Sequence, residues 1–133
     1  MRKMFADSSA LIALALLSDD NHSAARRFAE EAPSARFVIT ELALNETVTY
    51  LRARSDAARA AAAARRLVAS TRYQLVFTDL ALIEAGLENL ERFADKRLSL
   101  ADAVAFALID QLALDGAFTF DRDFRDCGYA TVP

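Results

Sequence analysis

Five short runs rich in aromatic and β-branched residues alternate with helical stretches along this chain of 133 residues, and that alternation leaves few folds open. The runs are "RKMFA" (2–6), "ARFVIT" (35–40), "YQLVFT" (73–78), "GAFTF" (116–120) and "YATV" (129–132). Between them, 8–18, 22–32, 41–53, 56–70, 79–94 and 100–114 read as helices, by apolar periodicity or, in "DAARAAAAARRLVAS" (56–70), by alanine propensity alone. Pro33 stops the second helix. Ser8 or Ser9, Thr78 or Asp79, and Ser99 stand where N-caps are needed. Strands separated by helices pair in parallel, and a parallel sheet is covered on both faces. The expectation is an α/β fold: a single domain over 1–133, with a central parallel sheet of four to five strands and helices on both sides.

Composition narrows the function classes. A hydrophobic fraction of 54% is ample for a core, and 26% of residues are charged. "ALIALALL" (10–17) is shorter than the ~18 residues that span a bilayer, and Asp7 rather than a basic flank precedes it, so neither a membrane span nor a signal peptide is expected. Cys127 is the single cysteine and has no internal disulfide partner, which suits a reducing cytoplasm. With His22 as the single histidine, a Cys/His zinc site has too few ligands. A net charge of −3 does not advertise nucleic-acid binding. The basic residues are nevertheless 14 Arg against Lys3 and Lys96, a bias that fits bidentate phosphate contacts and equally a GC-rich genome.

In parallel sheets, ligands collect at the carboxyl ends of the strands, so the residues that follow each strand carry the interest. Asp7 follows the first and is also well placed as a helix cap. Glu46 shares its helical face with Leu42, Ala43, Thr49, Tyr50 and Ala53. It lies past the first turn, where dipole stabilisation fades, and a carboxylate facing inward is costly unless it is paired or binds a metal. Glu41, at the helix start, needs no such explanation. Asp102 completes a capping box in "SLAD" (99–102) yet opens the most apolar helix. Asp121 follows the strand "GAFTF", with Asp123 and Asp126 behind it; taken alone, these three read as a polar turn or a short capped helix.

A parallel topology brings Asp7, Glu46, Asp102 and Asp121 to one rim. Four crowded carboxylates repel one another, and the simplest remedy is a hard divalent cation with oxygen ligands, Mg²⁺ or Mn²⁺.

The pieces "FADSSALIALAL", "ITELALNETVTYL", "LSLADAVAFALI" and "FTFDRDF", in that order and spacing, resemble the PIN-domain ribonucleases, and most closely the VapC-type toxins of bacterial toxin–antitoxin pairs. The likeness covers nearly the whole chain. It implies an acidic quartet at Asp7, Glu46, Asp102 and Asp121, with Asp123 as a frequent fifth acid and Ser8 and Thr119 as hydroxyl residues beside them. It implies metal-dependent hydrolysis of RNA phosphodiesters, in which Asp7 and Asp102 are the main direct ligands and Glu46 and Asp121 complete the shell. Asp126 is left as a turn or capping residue. It further implies a homodimer and a cognate antitoxin, for which Leu14, Leu17 and Phe28 offer apolar surface unless they pack in the core.

An acidic site does not attract RNA by itself, so basic residues must flank it. Arg52, Arg54, Arg59, Arg122 and Arg125 are the candidates, with Lys96 and Arg97 ahead of the Asp102 helix. Single-stranded or looped RNA suits such a site best. The alternatives are an RNA-processing nuclease with no antitoxin and a non-catalytic α/β scaffold that binds RNA or protein. A receiver domain would want paired acids after the first strand and a late Lys. A phosphohydrolase with an Asp nucleophile would want a second acid where Ser9 stands.

Overall fold

The computed structural model describes residues 2–133. Five strands, β1 (Lys3–Ala6), β2 (Arg36–Thr40), β3 (Tyr73–Val76), β4 (Ala117–Phe118) and β5 (Thr131–Val132), form one sheet in the order β3-β2-β1-β4-β5, and every pair in it is parallel. Seven helices accompany them: α1 (Ser8–Ala15), α2 (His22–Glu31), α3 (Glu41–Arg54), α4 (Ala57–Ala69), α5 (Leu80–Arg92), α6 (Leu100–Leu112) and α7 (Arg122–Asp126). The expected α/β architecture is therefore present, with the upper of the two strand numbers.

Side-chain alternation along the strands divides the core into two layers. Phe5, Val38 and Ala117 point to one face, where Leu82 of α5, Val104 to Ile109 of α6 and Phe124 of α7 cover them. Met4, Ala6, Phe37, Ile39 and Phe118 point to the other, under Ala10, Leu11 and Ala13 of α1 and Ala25 and Phe28 of α2. The register keeps these faces consistent, Met4 beside Phe37 and Phe5 beside Val38. A slip of one residue would turn every one of these side chains to the wrong layer.

Helix α5 packs extensively against α6. A Cβ placed on Gly86 would lie 2.6 Å from Cγ2 of Val104, so only glycine permits this approach. Asn89 of α5 then donates to the carbonyl of Ala103 at 2.9 Å, a bond buried between the two helices. Arg72, just before β3, ties the sheet edge to the end of α2 by donating to the carbonyl of Ala32 at 2.8 Å.

Most elements begin or end one or two residues from the sequence expectation, and the first helix differs most. The first helix ends at Ala15 rather than 18, where Leu16 turns extended and caps it. Its N-cap is Asp7, not a serine, because the Asp7 carboxylate accepts the amide of Ser9. After β4, the second of the two readings holds: a short helix, α7, of five residues, capped by Asp121.

Candidate metal centre

The register fixes which residues meet at the carboxyl rim. Ala6 pairs with Phe118, so Asp7 and Thr119 emerge side by side, one residue beyond β1 and β4. The Asp7 amide donates to the Phe118 carbonyl at 3.0 Å and holds that junction shut. On the next strand, Thr40 caps α3 by accepting the amide of Ala43 at 3.1 Å, which starts α3 at the rim, and Glu46 of that helix lines the cavity there. Ser99 caps α6 in the same way at 3.1 Å and sets Asp102 in the first turn. Asp121 stands three residues beyond β4 and caps α7, accepting the amide of Asp123 at 2.9 Å.

These placements bring Asp7, Asp102 and Asp121 together, with one carboxylate oxygen from each lying within 4.8 Å of the others. Glu46 and Asp123 line the same cavity, of about 410 Å³, without joining that tight trio. Asp126 ends α7 exposed and does not cap it.

Asp7 is 5% exposed, and its environment is specific. Oδ2 accepts from the Ser9 hydroxyl at 2.7 Å and the Thr119 hydroxyl at 3.0 Å, and weakly from the Ser9 amide at 3.4 Å. These bonds all end on Oδ2. Oδ1 has no protein partner, yet it is not among sealed, unsatisfied atoms, so it opens toward the cavity. Ser9 also accepts the Phe120 amide at 3.0 Å, and Thr119 accepts the Asp121 amide at 3.0 Å. The two hydroxyls thus lock the Asp7 and Asp121 segments to each other. Sequence reasoning picked Thr119 and passed over Ser9. Its signal was its i+2 position from an N-cap aspartate, where a hydroxyl can return to the carboxylate. Ser8, which the sequence did single out, lines the cavity beside Glu46 instead.

The electrostatics of the site are those of an uncompensated anion cluster. Burial raises the Asp7 carboxyl above its ordinary range, against the hydrogen bonds from Ser9 and Thr119. Burial also raises Glu46, with the charges of Asp7 and Asp121 adding to it. Asp102 is pushed from 3.8 to about 7, by burial first and then by Asp7, Asp121 and Glu46. Opposite charge would reverse each of these shifts. The donor set, all carboxylate and hydroxyl oxygen with one Asp7 oxygen left free, fits a small divalent cation of the Mg²⁺ or Mn²⁺ kind. Glu41 is the contrasting acid. It accepts the amide and the hydroxyl of Thr78, and so clamps the end of β3 to the start of α3.

Arg52, Arg54, Arg59, Arg122 and Arg125 do not line the acidic cavity. Arg54 and Arg59 border a neighbouring one between α1, α3 and α4, and Arg122 and Arg125 border a small one on the outer side of Asp121. Arg52 is exposed on α3. The cation that does line the acidic cavity is Arg97, while Lys96 sits beside Asp95 at 3.8 Å. Of the three apolar residues on the first helices, Phe28 is core, Leu14 packs against it, and Leu17 is 80% exposed.

Comparison with known proteins agrees with this geometry. The family model of the PIN domain matches residues 4–128. The chain is 33% identical over 130 residues to the 23S rRNA-specific endonuclease VapC20 of Mycobacterium tuberculosis, in each of two strains, covering 97% of both chains. It superposes on the crystal structure of M. tuberculosis VapC20, described as a sarcin–ricin loop cleaving toxin, with a TM-score of 0.88, 28% identity and 96% of each chain covered. A chain from a toxin–antitoxin complex of Klebsiella pneumoniae shares the fold, at a TM-score of 0.70 and 16% identity.

Proposed function

Because the chain belongs to the PIN-domain family, we propose that it is a metal-dependent endoribonuclease and the toxin of a type II toxin–antitoxin pair. The observation that carries this reading is the convergence of Asp7, Asp102 and Asp121 at the carboxyl rim of a parallel sheet, with Glu46 beside them. A non-catalytic scaffold has no use for three carboxylates crowded at one point, since the repulsion only costs stability.

Asp7, Asp102 and Asp121 would hold the cation, and Glu46 and Asp123 would orient waters around it. A divalent ion bound there polarises a phosphoryl oxygen and acidifies water. Ser9 and Thr119 keep Oδ2 of Asp7 occupied, so that Oδ1 is always presented. The reaction would exchange one P–O bond of the RNA backbone for a bond to the water oxygen; the water's proton would pass to solvent and the leaving oxygen would take one from solvent, so no side chain is needed as the base. The substrate is RNA, and the large-subunit ribosomal RNA cut by the relative from M. tuberculosis is the first to test. A cognate antitoxin would silence the protein by covering the cavity. No helix among the described residues is long and apolar enough to cross a membrane, and a cytoplasmic site of action is part of the reading.

The test is incubation of the purified protein with 23S rRNA in Mg²⁺ or Mn²⁺, with cut sites mapped by primer extension. Discrete cleavage that stops in EDTA is expected. Cleavage that persists in excess EDTA would sink the metal-dependent mechanism.

A further inference from the structure

Among the residues of the acidic cavity that are not acids, Tyr50 and Arg97 suit a nucleotide. Arg97 lies between α5 and α6, five residues before Asp102, and is the one cation lining the cavity. It has acids around it, yet among the described residues it makes no ion pair and no hydrogen bond. An arginine that neutralised the acids would be paired with one of them; this one keeps its planar fork of donors for something else. Tyr50 lines the cavity from α3, one turn beyond Glu46. Its ring is half-buried, and the Arg54 guanidinium lies 4.8 Å from the ring centroid. A ring backed in this way is a stacking surface held in one orientation, with positive charge beside it. Taken singly, Arg97 reads as solvated surface and Tyr50 as helix packing; their shared cavity with the metal-type acids is what connects them.

We propose that Tyr50 and Arg97 grip the nucleotide next to the scissile phosphate, Tyr50 stacking on its unpaired base and Arg97 pairing with a backbone phosphate. This rests on the ribonuclease reading and adds to it the residues that would select RNA whose base at the cut is unpaired. A base within an A-form duplex has both faces covered by its neighbours and presents none to Tyr50.

The experiment measures binding of a fluorescein-labelled unpaired RNA decamer, and of the same strand annealed to its complement, across a salt series with Ca²⁺ in place of Mn²⁺. Steady-state cleavage of 23S rRNA in Mn²⁺ is measured alongside. Arg97→Ala should lower the slope of log Kd against log salt by about 0.7, the loss of one phosphate contact on a single strand. It should raise KM about tenfold with a smaller change in kcat, and Arg97→Lys should recover most of the slope. Tyr50→Ala should weaken the unpaired decamer about tenfold and leave the duplex unmoved, while Tyr50→Phe keeps wild-type affinity. Arg26→Ala, which removes a cation of α2 that is paired with Glu30, is the charge control and should not change the slope. The grip is overturned if Arg97→Ala and Arg97→Lys keep the wild-type slope and KM, or if Tyr50→Ala weakens duplex and single strand alike. Wild-type protein that cleaves no RNA in Mn²⁺ overturns the ribonuclease reading and the grip with it. Cleavage with KM unmoved in every variant overturns the grip alone.

Discussion

Asp102 is the residue whose titration gives the clearest test of the site. Its carboxyl holds a proton up to about 7 in the folded chain, against an ordinary 3.8. A raised carboxyl pKa means that the folded state binds the proton more tightly than the unfolded one. The resulting stabilisation is complete below pH ~4 and disappears as pH rises through about 7. In metal-free protein, Asp102→Asn should therefore raise the melting temperature at pH 8 by roughly 3–6 °C and gain little at pH 5, as thermal melts will show. The same substitution should lower RNA cleavage by at least ~100-fold and abolish the upward shift that Mn²⁺ gives the wild type. Glu46→Gln should behave similarly but less sharply, because Glu46 stands outside the tight trio. In calorimetric Mn²⁺ titrations its affinity should fall while its apo melt is unchanged or higher; a large drop in apo stability with unaltered Mn²⁺ binding would make Glu46 a structural acid. Of the late aspartates, Asp121→Asn should impair cleavage severely, Asp123→Asn less and Asp126→Asn hardly at all. That order follows their places: in the trio, on the cavity wall, and at the exposed end of α7.

Between elements, the site depends on joints that lie outside the carboxylates. Ser9 joins α1 to the segment after β4 through Asp7, Thr119 and the Phe120 amide. Ser9→Ala removes one hydroxyl from Asp7 and leaves the Phe120 amide without its acceptor. It should cost about 1 kcal/mol in denaturant unfolding and reduce cleavage, since the Asp7 carboxyl loses its nearest donor. Gly86 is the corresponding joint between α5 and α6. Gly86→Ala sets a methyl against Val104 and should cost about 1–3 kcal/mol, and Val104→Ala on top of it should return part of that loss. Restoration of stability in the double variant, with cleavage unchanged from the wild type, would show that this pair shapes the scaffold and not the chemistry.

For the molecule as a whole, the sheet lets residues far apart in sequence meet, as Asp7 and Thr119 do across 112 positions. The acids that gather on one rim crowd like charges in the metal-free protein, which a divalent ion bound there would relieve. Stability should thus become metal-dependent above pH 7, with Mn²⁺ raising the melting temperature more at pH 8 than at pH 5, where protons compete for the same oxygens. Equal shifts at the two pH values would mean that the ion binds elsewhere.

Much of this was legible in the order of residues. The alternation of apolar runs and helical stretches specifies a parallel α/β sheet, because each pattern has its own period and each crossover needs a helix. The inward face of Glu46 and the acids that follow β1 and β4 pointed to one rim for the same reason. The sequence did not separate an N-cap from a ligand at Asp7, Asp102 or Asp121, since the same carboxylate at the same position serves either purpose. Asp7 and Asp121 do cap by side-chain acceptance, whereas at α6 the cap is Ser99 and Asp102 stands in the first turn. Nor did it choose Arg97 over Lys96, or Ser9 over Ser8, because neighbours in sequence point in different directions only once the backbone is in place. Periodicity is a local property and survives in one dimension; which oxygens come within 4.8 Å of each other depends on strand register and helix caps together, and only the folded chain decides that.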